Sequence, residues 1–319
     1  MYFPYFRGRQ YELLALKELA ADDLLGKSVI PIIEPIKLTT TFATTLKVFI
    51  DNQQPIALIY NPSVGELISK LDLVETLFTH FGNSSCVIPS VLFDKNAKDT
   101  LQTATDILQK TLDAVLSKGI SKENLLTIIH NRDFLDVYSE NFRMTPPKYT
   151  LCPDERQIIR KVNQNKVLCA DRFIKQVRNA DYPEDEFFSD DHLFFQDDGY
   201  IGFGDYSIVG KDYVDKGGLP YAVAIHVIYF SDDDTLRVRH FISDSNVDRS
   251  DVAGKYHEAV TKLANWYHTG QQQQQTAALL LFLDHAEKGY YPGLPTIKKL
   301  SMMHHLELVG KYLDNGGRR

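Results

Sequence analysis

The sequence predicts a (β/α)8 TIM-like barrel with a C-terminal helical extension, and two observations support this prediction. Eight apolar runs of strand length recur between residues 28 and 230, and helix-like segments separate most of them. Such alternation is typical of parallel β/α units, and eight units close into a barrel. Polar side chains then follow the ends of the runs, where a barrel keeps its active-site rim. An open doubly wound sheet is the alternative that the same alternation allows.

The first run shows why these stretches are interpreted as barrel strands. Ser28–Lys37 is an almost unbroken apolar stretch whose charged residues, Glu34 and Lys37, come near its end. A parallel strand covered on both faces reads as a continuous apolar run, and ionised side chains are kept out of its core. The fifth run is the thinnest of the set. The eight runs occupy residues 28–37, 55–61, 86–94, 125–133, 149–154, 166–172, 200–206 and 221–230.

Helix-like patterns fill most of the intervals between the runs, with apolar residues recurring every three to four positions. After the eighth run, residues 221–243 alternate as a hairpin that would extend the last barrel strand. The predicted helices are 10–20, 64–81, 98–118, 155–163, 252–267, 277–287 and 296–313, with a loop at 270–275. We therefore divide the chain into a barrel with an N-terminal helix, residues 1–243, and a C-terminal helical extension, residues 244–319.

An acidic segment, Asn179–Asp198, separates the sixth run from the seventh. It contains eight aspartate and glutamate residues. Charge runs of this kind are usually solvated. We expect the segment to be an exposed insertion or a lid.

Composition limits the classes of function. The chain has 319 residues, a net charge of −7 and a pI near 5.8, which argues against general nucleic-acid binding. Cys86, Cys152 and Cys169 lie in or beside apolar runs without metal-ligand spacing, so we expect reduced, packed cysteines. The N-terminus lacks the apolar core of a signal peptide, and the longest aliphatic run, Ala277–Leu283, is too short to span a bilayer. We expect a cytoplasmic protein without membrane association.

Charged and polar side chains at the ends of the runs are the candidate site residues. The carboxylates of Glu34, Asp171 and Asp205 would bind Mg²⁺ or act as acid and base. His226, within the eighth run, would shuttle protons. Arginine is a planar, bidentate donor that suits a phosphate group. The expected substrate-binding residues are Lys37, Arg132, Arg172 and Tyr206.

The same residues also have purely structural interpretations. Asp, Asn and Pro at a strand end are ordinary turn formers and helix caps, and Asn61, Asp94 and Asp154 fit that description. The charged rim could consist of mutually neutralising ion pairs, and His226 could be a hydrogen-bonded core histidine. Gly202–Tyr206, with its GxG pattern, is either a glycine-rich ligand loop or a strand that permits close packing.

Several stretches of the chain resemble a bacterial group known as beta family proteins. The stretches are Tyr2–Leu19, Ile30–Lys37, Gly202–Tyr206, Pro220–His226 and His240–Asp244, and the resemblance covers most of the chain. Genes of this group often lie in phage-related or mobile defence neighbourhoods, so the resemblance implies a role in phage–host conflict. It supplies no catalytic residues to carry over.

Two hypotheses of different classes follow. The first is an enzyme, a metal-assisted hydrolase of a phosphate-containing small molecule or nucleotide. The second is a non-catalytic component of a defence system that binds the protein product of a neighbouring gene. Its candidate docking surfaces are the aromatic N-terminus (Tyr2, Phe3, Tyr5, Phe6) and the helical C-terminal region. An enzyme requires converging polar groups in a concave site, whereas a binding module requires an exposed apolar patch.

Overall fold

The computed structural model describes residues 1–82, 84–95, 99–214, 218–270 and 275–317, and the chain forms two compact units. Unit 1 comprises Met1–Leu13, Val29–Ala170 and Phe194–Asp205. Unit 2 comprises Leu14–Ser28, Asp171–Leu193 and Tyr206–Arg319. These boundaries differ from the expected division after residue 243, because residues 14–28, 171–193 and 206–243 belong to unit 2.

Unit 1 is a nearly closed barrel of parallel strands flanked by helices, which confirms the predicted fold class. The strands are short and almost wholly buried, as expected for a sheet covered on both faces. Among the described residues, the sheet runs in the order β1 (Tyr5–Phe6), β2 (Ile32–Ile33), β3 (Ile56–Ile59), β4 (Val87–Phe93), β5 (Leu126–Ile129), β6 (Tyr149–Cys152), β7 (Lys166–Cys169) and β9 (Gly202–Gly204).

The N-terminal segment is a barrel strand, which the sequence analysis did not predict. On one side, Tyr5 pairs in parallel with Ile32 of β2. On the other side, the Phe3 amide donates to the Phe203 carbonyl at 2.8 Å and the Tyr5 amide to the Asp205 carbonyl at 2.8 Å. The expected aromatic docking surface is therefore wrong, because Tyr2, Phe3, Tyr5 and Phe6 are each at most 2% exposed.

The GxG pattern of β9 lets this N-terminal strand approach closely. A Cβ added at Gly202 would lie 2.8 Å from the Met1 carbonyl oxygen, and one at Gly204 would collide with the Phe3 carbonyl oxygen. Glycine in a strand interior commonly marks such a close backbone approach. The contacts favour the packing interpretation of this pattern over the ligand-loop interpretation.

The eighth apolar run is not a barrel strand, which corrects the prediction. It forms β10 (Ala224–Phe230), which pairs antiparallel with β11 (Leu236–Ile242) as the expected hairpin. β11 also pairs antiparallel with β8 (Asp185–Ser189), so the hairpin belongs to a three-stranded sheet of unit 2. Burial alternates along much of β10 and β11, which is typical of an antiparallel sheet rather than a doubly covered parallel one.

The acidic segment Asn179–Asp198 is not simply an exposed insertion or lid, because it contains β8. Asp185 of β8 pairs with Arg237, and Glu186 accepts from His240 Nε2 at 3.0 Å. The negative charges therefore face a basic partner strand, and neighbouring opposite charges stabilise a strand pair.

Helices cover the strands of unit 1. Thr39 and Thr100 begin two of them by accepting hydrogen bonds from the backbone amides of Phe42 and Thr103. The predicted helix start at Lys98 lies outside the described residues. The helices are α2 (Thr40–Asp51), α3 (Leu71–Phe81), α4 (Leu101–Ser117), α5 (Leu135–Phe142) and α6 (Arg156–Ile159), while α1 (Gln10–Ala21) contributes to both units.

Unit 2 packs the remaining helices with its antiparallel sheet. They are α7 (Asp191–Phe194), α8 (Val252–His268), α9 (Ala277–Lys288) and α10 (Leu294–Asp314). α10 packs against β10 and α9, and its residues 300–310 are all buried. Most of the expected loop at 270–275, residues 271–274, lies outside the described residues.

Candidate functional site

Unit 1 places a polar side chain beyond the C-terminal end of each of five neighbouring strands. Arg7, Glu34, Asp94 and His130 directly follow β1, β2, β4 and β5, and Ser63 lies in the loop after β3. Parallel strands of a barrel present these ends at one rim, which is where barrel enzymes keep their active sites. We call Arg7, Glu34, Ser63, Asp94 and His130 the rim cluster.

Glu34 is the anchor of the rim cluster. Its Oε1 accepts hydrogen bonds from the Ser63 amide at 2.6 Å, the Ser63 hydroxyl at 2.9 Å and the Val64 amide at 3.2 Å. Its Oε2 accepts from the Tyr5 hydroxyl at 2.7 Å and from the Arg7 guanidinium. A carboxylate offers about four lone-pair positions, so five donors use its acceptor capacity fully. Glu34 therefore positions its neighbours, and its oxygens offer no further place for a metal ion.

Local backbone conformation brings the β3 loop to Glu34. Gly65 has a φ of +86°, and a Cβ at this position would lie 2.7 Å from Ile36 Cα. The next residue, Glu66, donates its amide to the Ile36 carbonyl at 2.8 Å. Only glycine adopts this φ freely at such a close approach, so Gly65 fixes the loop that delivers Ser63 and Val64.

Arg7 brings a positive charge to the rim. Its guanidinium pairs with Glu34, lies 5.1 Å from the centre of the Tyr5 ring and donates to the Tyr5 hydroxyl at 3.4 Å. The Arg7 amide donates to Glu12 Oε2 at 2.9 Å, which ties β1 to the first turn of α1. The Arg7 side chain is 10% exposed, so its charge lies at a largely desolvated position.

His130 and Asp94 form a second pair in the rim cluster. His130 Nδ1 lies 3.1 Å from Asp94 Oδ2, and the ring of His130 is 5.6 Å from that of Tyr5. Their side chains are 5% and 25% exposed. A carboxylate at Nδ1 fixes the orientation and tautomer of an imidazole. A cavity of about 50 Å³ lies beside Asp94 and Ser63, large enough for water.

Four of the expected site residues lie in unit 1. Besides Glu34, Asp205 directly follows β9, is 3% exposed and accepts a hydrogen bond from the Tyr2 hydroxyl at 2.8 Å. Burial, followed by the charge of Asp205, raises the pKa of Tyr2 well above its ordinary value. Lys37 is exposed and lies 3.2 Å from Glu66, and Arg132 is exposed in a short 3₁₀ turn.

The other four lie in unit 2. Asp171 accepts from the Phe173 amide at 3.3 Å and the Lys211 amide at 2.7 Å, so it organises turns. Arg172 makes a two-point ion pair with Asp191, at 2.8 and 2.5 Å. Tyr206 is buried. His226 lies in the antiparallel sheet, so its expected place at the barrel rim is wrong.

The expected magnesium site has no support in the structure. In the part of the chain that the structure describes, no group of three or more His, Cys, Asp or Glu side chains is arranged to hold a metal ion. Both carboxylate oxygens of Glu34 already accept hydrogen bonds, and Asp171 already accepts hydrogen bonds from two backbone amides.

Sequence reasoning missed Tyr5, Arg7 and His130 as site residues and interpreted Asp94 as a turn former. His130 could have been found, because it is the first polar residue after the apolar part of the fourth run. Arg7 could not be placed until the N-terminal segment was known to be a strand.

Comparisons with protein-family models, with curated proteins and with solved structures found no match to this chain. Over the described residues, no helix has both the length and the apolar character needed to cross a membrane.

Proposed function

We propose that unit 1 is an enzyme that performs acid–base chemistry on a small anionic molecule at its barrel rim. The observation that carries the proposal is the His130–Asp94 pair, held at 3.1 Å on adjacent strand ends. Tyr5 links this pair to Glu34, because its ring lies 5.6 Å from that of His130 and its hydroxyl donates to Glu34 at 2.7 Å. Histidine is the side chain most often used for proton transfer near neutral pH. Positioned proton transfer of this kind contributes about 10²–10⁴-fold to a rate.

The residues take different roles in this proposal. His130 exchanges the proton with substrate or water, and Asp94 orients its ring. Arg7 supplies the positive charge that attracts an anionic group, and Glu34 with Tyr5 holds Arg7 in place. Phosphate-containing small molecules and nucleotides are the first substrate class to test, with hydrolysis as the expected reaction.

The resemblance to beta family proteins adds a biological setting, a role in phage–host conflict, to the same proposal. Of the two docking surfaces considered for a non-catalytic binding protein, the structure excludes one. The aromatic N-terminus is buried in the barrel, so it offers no face to a partner.

The test is a substrate panel of phosphate monoesters, phosphodiesters and nucleotides, applied to the wild type, His130→Gln and His80→Gln. His80 is an exposed histidine on α3 of the same unit and serves as the matched control. We expect a member of the panel to be turned over, with kcat lowered by about 10²-fold or more in His130→Gln and unchanged in His80→Gln. No turnover by the wild type would contradict the substrate class, and full activity of His130→Gln would contradict the catalytic role.

A further inference from the structure

Unit 2 contains a cavity that the proposed function of unit 1 does not use. Its volume is about 630 Å³, within the range of sites that bind small molecules. β11 and α8 supply most of its walls. The residues that give it chemical character are Tyr182, Arg239, Phe241, Lys262, Asn265 and Trp266.

Aromatic rings form much of the cavity wall. Phe241 and Trp266 lie 5.5 Å apart between ring centres, and Tyr182 stacks on His240 at 4.7 Å. Rings of this kind supply a flat, polarisable surface on which a planar ligand can stack. A pocket with only aliphatic walls would not favour a planar molecule in this way.

Two cations lie at the same cavity. The Arg239 guanidinium is 6.0 Å from the Trp266 ring centre and 5.9 Å from that of Phe241, and it pairs with Glu184, whose side chain is 75% exposed. Arg239 Nε is buried, and no described residue accepts its hydrogen bond. Burying a donor without an acceptor is unfavourable, so an acceptor on a ligand would be stabilised there.

Lys262 provides the second charge. Its ammonium group donates to the Ile242 carbonyl at 2.8 Å and to Asp244 at 2.6 Å. An ammonium group has three donors, so two partners leave one N–H for a ligand. Asp244 is 79% exposed, so its pairing with Lys262 is weakened by solvent and can yield to a bound anion.

His240 also borders the cavity, and contacts at both ring nitrogens hold its side chain in place. Its Nε2 lies 3.0 Å from Glu186 Oε1, and its Nδ1 lies 2.6 Å from His226 Nδ1. Both ring nitrogens are therefore engaged and the side chain is fully buried, so His240 offers no hydrogen bond to a ligand in the cavity.

We propose that this cavity binds a planar aromatic molecule that carries an anionic group. The ring lies against the aromatic wall of Tyr182, Phe241 and Trp266. The anionic group accepts hydrogen bonds from Arg239 and Lys262. The residues of this site do not include any residue of the rim cluster, and its test does not depend on catalysis by unit 1.

Trp266 is the single tryptophan of the chain, so tryptophan emission reports on this cavity directly. The probes are adenosine 5′-monophosphate with adenosine as its neutral counterpart, benzoate with benzamide, and inorganic phosphate as an anion without a ring. We expect a saturable change in Trp266 emission with the two aromatic anions. The neutral counterparts and inorganic phosphate should bind at least about tenfold more weakly, the effect of one charge-assisted contact.

The variants are Arg239→Gln and Lys262→Met, with Arg237→Gln as the control. Arg237 lies on the same strand and pairs with Asp185, but it does not line the cavity. We expect about tenfold weaker binding in either cavity variant and unchanged binding in the control. A wild type whose Trp266 emission does not change with either aromatic anion would overturn the proposal. Equal binding by all variants, or by the neutral probes, would overturn it as well.

Discussion

At the residue scale, Glu34 shows how one buried carboxylate organises a site. It is fully buried and receives five donors from two segments of chain: residues 5–7 and the loop after β3. A buried carboxylate is tolerated only when charge and hydrogen bonds compensate it, and here both do. The position of Arg7 at the rim therefore depends on Glu34.

Replacing Glu34 by glutamine should destabilise unit 1 by about 3–5 kcal/mol. The change leaves the Arg7 guanidinium without its compensating charge and turns an amide toward the donors of Ser63 and Val64. Chemical denaturation measures the difference. Glu66→Gln is the control, because the Glu66–Lys37 pair is exposed and worth at most about 1 kcal/mol. Equal losses in the two variants would contradict the anchoring role.

At the element scale, the N-terminal strand closes the barrel because β9 lacks side chains at two positions. Gly202 and Gly204 leave room for the backbone from Met1 to Phe3. The same strand brings Tyr5 and Arg7 to the rim, so the pairing that closes the barrel also positions two residues of the candidate site.

Gly204→Ala should therefore weaken closure. The added methyl group meets the Phe3 carbonyl oxygen, and overpacking of this kind costs about 1–3 kcal/mol. Amide hydrogen exchange at Phe3 and Tyr5, whose N–H groups bond to Phe203 and Asp205, should become faster. Gly218→Ala, where a Cβ meets only Arg249 at 3.9 Å, should leave that exchange unchanged. Wild-type protection of Phe3 and Tyr5 in Gly204→Ala would argue against the closure mechanism.

The apolar runs predicted seven barrel strands correctly, because a parallel strand buried on both faces leaves a continuous apolar signal. Tyr5–Phe6 left no such signal, since it is two residues long and follows Pro4. Ala224–Phe230 is also rich in apolar residues and was therefore predicted as a barrel strand, although burial alternates along it. Glu34 was predicted at the rim because it ends a run. Its partners Tyr5 and Ser63 could not be predicted, since their contacts arise from the order of strands in space.

At the scale of the whole molecule, the buried histidines are concentrated in unit 2. Burial lowers the pKa of His192, His226, His240, His285, His304 and His305. The pKa falls to about 4 for His304 and to about 3 for His305, which are both fully buried on α10. His304 nevertheless contacts Thr276 Oγ1 at 2.7 Å and the Ile228 carbonyl at 2.6 Å, so its neutral form is satisfied.

Unit 2 should lose stability as the pH falls from about 6.5 toward 4. The folded-state pKa values lie below the ordinary histidine value of about 6.5, so the unfolded chain binds more protons in acid. The stability is fully present above about pH 6.5, and at pH 5 His304 and His305 each cost about 2 kcal/mol. Denaturant unfolding followed by Trp266 emission measures the loss. His257→Gln, at an exposed histidine of α8, should leave the pH dependence unchanged. Equal stability at pH 7 and pH 5 would rule the explanation out.

The central claim is that the barrel rim receives an anion beside His130. The most direct measurement is an NMR titration of protein labelled at histidine Cε1 with inorganic phosphate, with the His130 and His80 resonances assigned from the glutamine variants. We predict that the His130 resonance moves saturably, that the His80 resonance stays still, and that Arg7→Gln, which removes the positive charge of the rim cluster, weakens the response of His130. A His130 resonance whose chemical shift does not change with phosphate, or changes no more than that of His80, would contradict the claim.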